Sequence, residues 1–252
     1  MTEPLGDIRV GKVEKQLQKA IVEKGVAHLT LFDPEKLTPR TAHKLALQVK
    51  EAGTTAAMVG GSTATSVYEL DAIVKAIKLS KLPVILFPNA VSGLSQYADA
   101  VFFMSLLNSM NPYYLSGAQA LGAPFVKRYR LEPIPLAYLI IGEHTGAAGF
   151  VGNANPIPKD KPELAAIYAL AAEYLGMRYV YLEAGSGAKD TVTPEMVRAV
   201  RENSNIYIVA GGGIRSPAQA QSLAKAGAQL IVTGTVSEEG SVKRLRKIIH
   251  AL

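Results

Sequence analysis

Short, continuous apolar runs recur along the chain, and between most of them lie stretches whose apolar residues return every three or four positions. Runs of four to six aliphatic and β-branched residues without polar alternation are the pattern of strands buried on both faces, as in parallel sheets. Eight such runs occur: Ala27–Phe32, Ala56–Val59, Val84–Phe87, Ala100–Met104, Ala137–Ile141, Tyr179–Glu183, Ile206–Ala210 and Leu230–Thr233. Helical periodicity follows most of them, over Thr41–Ala52, Ser66–Leu79, Lys161–Leu175, Pro194–Glu202, Pro217–Ala226 and Glu238–Ala251. Thr193 and Ser216 stand as N-caps ahead of prolines at the first helical position. Ahead of the first strand, Val13, Leu17, Ala20 and Ile21 share one face and predict an extra N-terminal helix across the barrel bottom. This βα alternation predicts an α/β fold, a single (β/α)8 barrel of the TIM type spanning residues 1–252. An open doubly wound sheet would more often carry a glycine loop after its first strand, where this chain has Asp33–Pro34.

Two strand ends near the C-terminus are glycine-rich, Ile208–Ile214 (IVAGGGI) and Leu230–Thr235 (LIVTGT). Glycines at such ends let backbone N–H groups approach an anion without obstruction by Cβ. In an eight-stranded barrel a phosphate commonly sits at the loops after the last two strands, so a phosphorylated ligand is expected there.

Composition adds little to that picture and removes several function classes. Hydrophobic residues make up 48% of the 252, with no linker-like tract, so one sizeable core is expected. The net charge of +6 has one dense cluster, Lys243, Arg244, Arg246 and Lys247 on the C-terminal helix. That cluster reads as a solvated helix face; nucleic acid is not an expected partner, whereas peripheral contact with a membrane surface is compatible with it. With no cysteine there is no disulfide framework, thiolate metal site or cysteine nucleophile. Residues 1–10 lack the basic and apolar regions of a signal peptide, and runs such as Ala100–Met104 fall far short of the roughly 20 residues that cross a bilayer. A cytoplasmic location is the expectation.

Barrel active sites lie at the C-terminal strand ends. Those positions here are Asp33; Gly60, Gly61, Ser62 and Thr63; Asn89; Ser105 and Asn108; Glu143 and His144; then Glu183 with Ala184–Gly187. Asp33 and Glu183 thus point toward one bowl that also holds the phosphate cradle. A hard cation such as Mg2+ takes one or two carboxylates plus phosphate oxygens, so metal-assisted chemistry on a phosphate ester is one reading. Asp33 before a proline is equally the composition of a turn cap, and Glu183 could be a buried ion-pair partner. His28, His43 and His250 have no metal-ligand spacing and read as structural or exposed.

Six segments in order, HLTLFDPEK (28–36), GGSTATS (60–66), ILFPNAVSGLSQYADAVFFMSLLNS (85–109), YLEAGSGA (181–188), VAGGGIRS (209–216) and VTGT (232–235), resemble geranylgeranylglyceryl phosphate synthase, its second group more than its first. The resemblance implies a prenyltransferase that joins a long-chain isoprenyl diphosphate to sn-glycerol 1-phosphate, the first ether bond of archaeal-type membrane lipids, with Mg2+ as cofactor. By matching motifs, Asp33 and Ser62 resemble the metal pair. Tyr181, Leu182, Glu183, Ala184, Gly185, Ser186 and Gly187 would hold the glycerol phosphate, with Gly212, Gly213, Gly234 and Thr235 on its phosphate. Glu183 would serve as general base. The resemblance also allows a modification around the third barrel helix and implies a homo-oligomer, dimer or hexamer. A subunit contact is expected at Asn108–Tyr114 or the helix after it. The prenyl tail is expected along Val91, Leu94, Tyr97, Phe103, Leu106 and Tyr138. Two departures stand out. Leu31 occupies a position where some members carry lysine, leaving Lys36 and Arg215 as candidate cations, and the GEHTGAAGFVG loop is longer than expected. A phosphosugar isomerase or aldolase on the same barrel, or a non-catalytic phosphate binder, are the other readings.

Overall fold

The computed structural model describes residues 10–61, 66–142, 146–234 and 242–252. Eight parallel strands close in sequence order into a barrel: β1 Ala27–Phe32, β2 Ala56–Val59, β3 Val84–Leu86, β4 Ala100–Leu106, β5 Glu132–Ile140, β6 Tyr179–Glu183, β7 Tyr207–Gly211 and β8 Leu230–Thr233, with β8 pairing back to β1. Alternate side chains serve two cores. Leu29, Met58, Ile85, Phe102, Leu136 and Tyr179 fill the barrel axis. Phe32, Val59, Leu86, Val101, Leu139 and Val180 pack outward beneath the helices. Burial on both faces is why the strands read as unbroken apolar runs.

Strand β5 begins at Glu132, earlier than its apolar run suggests, because Pro133 and Pro135 lack the N–H that a ladder needs. Both lie where β5 is already paired to β4 while its other edge is open, since pairing to β6 starts only at Leu136↔Tyr179. Pro135 turns its carbonyl to that open edge and accepts from Arg178 N at 3.3 Å. The missing donors therefore face away from β4.

Helices cover the barrel: α2 Pro39–Ala52 after β1, α3 Val67–Lys78 after β2, α4 Ala118–Tyr129 after β4, α5 Gly146–Val151 and α6 Pro162–Tyr174 after β5, α7 Pro194–Asn203, α8 Pro217–Ala226 and α9 Val242–Ile249 after β6, β7 and β8. Thr193 and Ser216 cap α7 and α8 as expected, accepting from Met196 N and Gln219 N. On α9, Leu245 and Ile248 are buried while the four basic residues point to solvent. The helix expected after Asn108–Tyr114 is α4; Pro124 lies inside it and a π-helical turn, Tyr113–Gly117, precedes it. The β3–β4 connection departs from the alternation, carrying a 3-10 turn, Val91–Gly93, where the third barrel helix would be. No described helix is long and apolar enough to cross a membrane.

The extra helix α1, Lys12–Lys24, closes the barrel bottom with Val13, Leu17, Ala20 and Ile21 buried in the axial core. Its N-cap, Gly11, offers no side chain; the Glu132 carboxylate accepts from Val13 N and Glu14 N, at 2.8 Å each, and so caps it from across the barrel. Glu14 is fully buried and takes a two-pronged bond from Arg178, Nε to Oε1 at 2.6 Å and Nη2 to Oε2 at 2.5 Å. His28 is also structural. Its ring lies between Thr54 Oγ1 and Thr233 Oγ1, at 3.0 Å each, and burial lowers its pKa to about 3, so it stays neutral.

Candidate active site

A cavity opens at the C-terminal strand ends and continues outward between β4, the 3-10 turn at Val91 and α4. Its polar end is built around Glu183, the last residue of β6, which is 8% exposed. Glu183 Oε1 accepts from Gly185 N at 2.7 Å, and the Tyr181 phenol donates to the same carboxylate. Burial raises the Glu183 pKa against these two bonds, which pull it down. The carboxylate is therefore a stronger base than an exposed glutamate.

The loops around Glu183 need glycine. Gly212 has φ +80°, and a Cβ there would stand 2.5 Å from Glu183 Oε1 and 2.8 Å from Gly185 N. Without side chains, Gly185, Gly187, Gly212, Gly213 and Gly234 wall the cavity together with Ser186, Tyr181 and Glu183. Arg215, also at the cavity, donates from Nη2 to Gly187 O at 3.1 Å and ties the β6 and β7 loops to each other. Leu182 and Ala184, expected from the motif to hold substrate, instead bury their side chains in the outer core and do not line the cavity. Thr235 lies outside the described residues.

Asp33 follows β1 and caps the turn after it, as its place before Pro34 allowed, while also reaching the cavity. Its Oδ1 accepts from Glu35 N at 3.2 Å and caps the 3-10 turn Pro34–Lys36, while the side chain, 17% exposed, lines the cavity. Lys36 Nζ is 3.2 Å from its Oδ2. A Cβ on Gly61 would come within 2.8 Å of Asp33 Oδ1, so the glycine after β2 keeps that oxygen accessible. Among the described residues no cluster of three or more His, Cys, Asp or Glu could hold a metal unaided. A single carboxylate beside a glycine-walled bowl fits Mg2+ only if the ion arrives with phosphate oxygens of a substrate. Ser62, the other metal candidate, lies outside the described residues, as do Glu143 and His144.

The apolar end exists because β4 lacks a helix from the preceding connection. Val101 and Phe103 face outward there and line the groove, opposite Val91, Leu94 and the α4 residues Ala118, Gly122 and Val126. Of the expected tail-lining residues, Val91, Leu94, Phe103, Leu106 and Tyr138 do so. Tyr97 does not line it; its ring lies under Lys75 Nζ, 3.8 Å from the centroid. Ser105 and Asn108 are structural as well: Ser105 Oγ donates to Leu115 O, and Asn108 bridges Ile140 and Asn155. Sequence reasoning missed the α4 wall, although Ala118, Gly122 and Val126 recur at the four-residue spacing of one helix face. It also missed Phe87, which ends a run but turns into the bowl.

The PcrB family model matches residues 18–252. The geranylgeranylglyceryl phosphate synthase of Pyrococcus horikoshii is 52% identical over 250 residues, covering 98% of both chains. That of Nitrosopumilus maritimus is 50% identical over 243 residues, 96% of this chain and 97% of its own. The crystal structure of (S)-3-O-geranylgeranylglyceryl phosphate synthase from Thermoplasma acidophilum, in complex with its substrate sn-glycerol-1-phosphate, superposes with a TM-score of 0.90 at 40% identity, covering 96% of this chain and 98% of that one. The resemblance carried by the six motifs is thus borne out over nearly the whole chain. With a bowl of glycine loops around a buried carboxylate, an apolar groove leading from it, and relatives at this level of identity, the chain belongs to the PcrB family, to which it is joined by the geranylgeranylglyceryl phosphate synthases.

Proposed function

We propose that this protein is a prenyltransferase that joins a geranylgeranyl diphosphate to the 3-hydroxyl of sn-glycerol 1-phosphate, forming geranylgeranylglyceryl phosphate. The observation that carries this reading is one cavity with two unlike ends, a glycine-walled carboxylate site and an apolar groove bounded by Val101, Phe103 and α4. A phosphosugar enzyme would need only the first. Backbone N–H groups of Gly212, Gly213 and Gly234, glycines that wall the cavity, would receive the glycerol phosphate, with Thr235 of the same motif. Glu183 then holds the 3-hydroxyl and accepts its proton as the oxygen attacks C1 of the prenyl chain. Asp33 and Ser62 would hold Mg2+, which when bound supplies positive charge against the diphosphate leaving group. The groove keeps the tail away from water.

Two further parts of the reading concern assembly and place. The outward faces of α4 and α6 expose Leu121, Phe125, Ile167, Tyr174 and Leu175, apolar surface suited to a homo-oligomer, dimer or hexamer. The exposed Met110 and Tyr113 adjoin α4, whereas Asn108 and Ser109 of the same segment are buried. A cytoplasmic location, with transient contact to the membrane that receives the product, completes the proposal.

The test is direct. Protein, labelled sn-glycerol 1-phosphate, Mg2+ and prenyl diphosphates of increasing length should move label into an organic phase. Affinity should rise by about 0.8 kcal/mol per buried CH2 until the groove ends. Absence of extractable label, or kcat/KM flat across the series, overturns the reading.

A further inference from the structure

Three aromatic rings meet in the cavity that Asp33 and Glu183 also line. Phe87 follows β3, Tyr138 lies on β5 and Tyr181 on β6. Their centroids are 5.2 Å (Phe87–Tyr138), 5.6 Å (Phe87–Tyr181) and 5.3 Å (Tyr138–Tyr181) apart, and all three rings line the cavity. Their neighbours fix where the trio stands. A Cβ on Gly60 would run into the Phe87 carbonyl, and one on the adjacent Gly61 would come within 2.8 Å of Asp33 Oδ1, so the bare end of β2 separates Phe87 from Asp33 on the wall of one cavity. On the far side the Tyr181 phenol donates to Glu183, and Gly211 lacks the Cβ that would strike it. Asp33, Gly60, Gly61, Phe87, Tyr138, Tyr181 and Glu183 thus line one continuous cavity, with Tyr181 adjoining both Phe87 and Glu183.

This inference rests on the prenyl-transfer reading. In that reaction the C1–O bond of the allylic diphosphate breaks and its electron pair leaves with the diphosphate. A positive charge is left, shared between C1 and C3. A lone pair of the glycerol 3-oxygen then forms the new C1–O bond, and the hydroxyl proton passes to Glu183. With the leaving group at the Asp33 end and the nucleophile at Glu183, the charge develops over the three rings. Aliphatic walls offer a cation nothing beyond dispersion, whereas the face of an aromatic ring attracts it electrostatically. We propose that Phe87, Tyr138 and Tyr181 form an aromatic cage for the allylic cation, with the half-buried Phe87 presenting the face nearest the reacting carbon.

Chemistry at the phenol oxygens agrees. Burial and the nearby Glu183 push the pKa values of Tyr138 and Tyr181 well above the ordinary tyrosine range, so neither is a phenolate that the cation could alkylate. The Tyr181 O–H is engaged with Glu183, and Phe87 carries no nucleophilic atom. The cage stabilises the cation without trapping it.

The experiment replaces Phe87 site-specifically with mono-, di- and trifluorophenylalanine, which keep the ring's shape while weakening its negative face in steps. Single-turnover rates should fall stepwise with fluorine number, to roughly 10-fold below wild type at three fluorines, with KM for the prenyl diphosphate within about twofold and Tm unchanged. Phe87→Leu should lose roughly 10- to 30-fold in the same rate, and Phe87→Trp should retain most of it. Rates independent of fluorination, in a protein whose wild type transfers prenyl groups normally, would overturn the cage and leave the transfer function standing. A rate loss that tracks a rise in KM or a fall in Tm would also overturn it, by assigning Phe87 to packing. A wild-type protein that forms no ether product would remove the function and the cage together.

Discussion

Replacing Glu183 with glutamine separates what the carboxylate does for the reaction from what it does to the fold. The amide is nearly isosteric and its oxygen can still accept from Gly185 N, now 2.7 Å from Oε1, while the Tyr181 hydroxyl can rotate to accept from the new NH2. The shape of the glycerol site is kept and the negative charge is lost. A general base in this position contributes roughly 10²- to 10⁴-fold, so kcat for Glu183→Gln should fall by about 2.7 to 5.4 kcal/mol of barrier with KM for glycerol 1-phosphate little changed. The assay is single-turnover transfer of labelled glycerol phosphate across a series of pH values. Because burial raises the wild-type pKa, and the base acts only when deprotonated, the acid limb of wild-type kcat/KM should lie above the ordinary carboxylate range. In Glu183→Gln that limb should vanish. A variant that loses affinity but keeps its limiting rate would show Glu183 to be a binding residue and refute the base assignment.

The same substitution carries a stability prediction of opposite sign. Exchanging two charge-assisted hydrogen bonds for neutral ones should cost about 1 kcal/mol each. The pKa is nevertheless raised, so desolvation of the carboxylate outweighs what those bonds return. A group whose folded pKa exceeds its unfolded one favours the fold most at low pH, and that contribution is lost as pH rises through the folded value. Wild-type stability should therefore decline across this window, and Glu183→Gln should unfold at equal or higher Tm at pH 8. A clearly lower Tm at pH 8 would show that the charge stabilises the fold.

Three other outcomes follow from the site and the scaffold. Asp33→Asn should cost several kcal/mol of barrier, more than 10²-fold in kcat, with the fold intact, and wild-type turnover persisting in excess EDTA would contradict a metal at Asp33. Arg178→Met should lower stability by about 3 to 5 kcal/mol in urea titration, because it leaves the fully buried Glu14 unpaired; the double variant with Glu14→Leu should recover much of that, and an unchanged midpoint in the single variant would refute the pairing. Light scattering at micromolar concentration should give a dimer or hexamer, and Ile167→Glu on the exposed face of α6 should reduce the mass; a monomeric wild type would refute assembly.

Where the sequence was most legible, local chemistry and tertiary role coincide. Strands β1, β2, β6 and β8 have the bounds their apolar runs predict, each ending where a polar or glycine residue enters the bowl. The helices after β6 and β7 begin at predicted caps, since Thr193 and Ser216 satisfy the first-turn donors whatever lies beyond. Legibility fails where tertiary pairing excuses a local fault. Pro133 and Pro135 look like strand breakers until the β6 edge is seen to start later, and Pro124 looks like a helix breaker until α4 is seen beside the groove. For the site, Asp33 and Glu183 could be placed from strand order alone. The cage could not, because Phe87 follows β3 while Tyr138 and Tyr181 lie on β5 and β6, and only the barrel's closure brings their rings together.

The omitted third helix explains how one barrel serves two unlike substrates. A barrel interior is a packed core with no room for a long hydrocarbon, as the axial residues Phe102, Ile134 and Tyr179 show here. Space for a tail must come from outside the strands, where a helix normally covers each outward face. Shortening the β3–β4 connection to a 3-10 turn withdraws that cover from Val101 and Phe103 and leaves an apolar slot that α4 walls with small residues, Ala118 and Gly122. The slot opens into the bowl at Phe87 and Met104, so a tail lying outside the barrel can present its head inside it. On the proposed reading, polar chemistry and hydrocarbon binding are thereby kept at the two ends of one cavity. Refilling the slot, for instance with Gly122→Leu, would block the tail without touching Asp33 or Glu183.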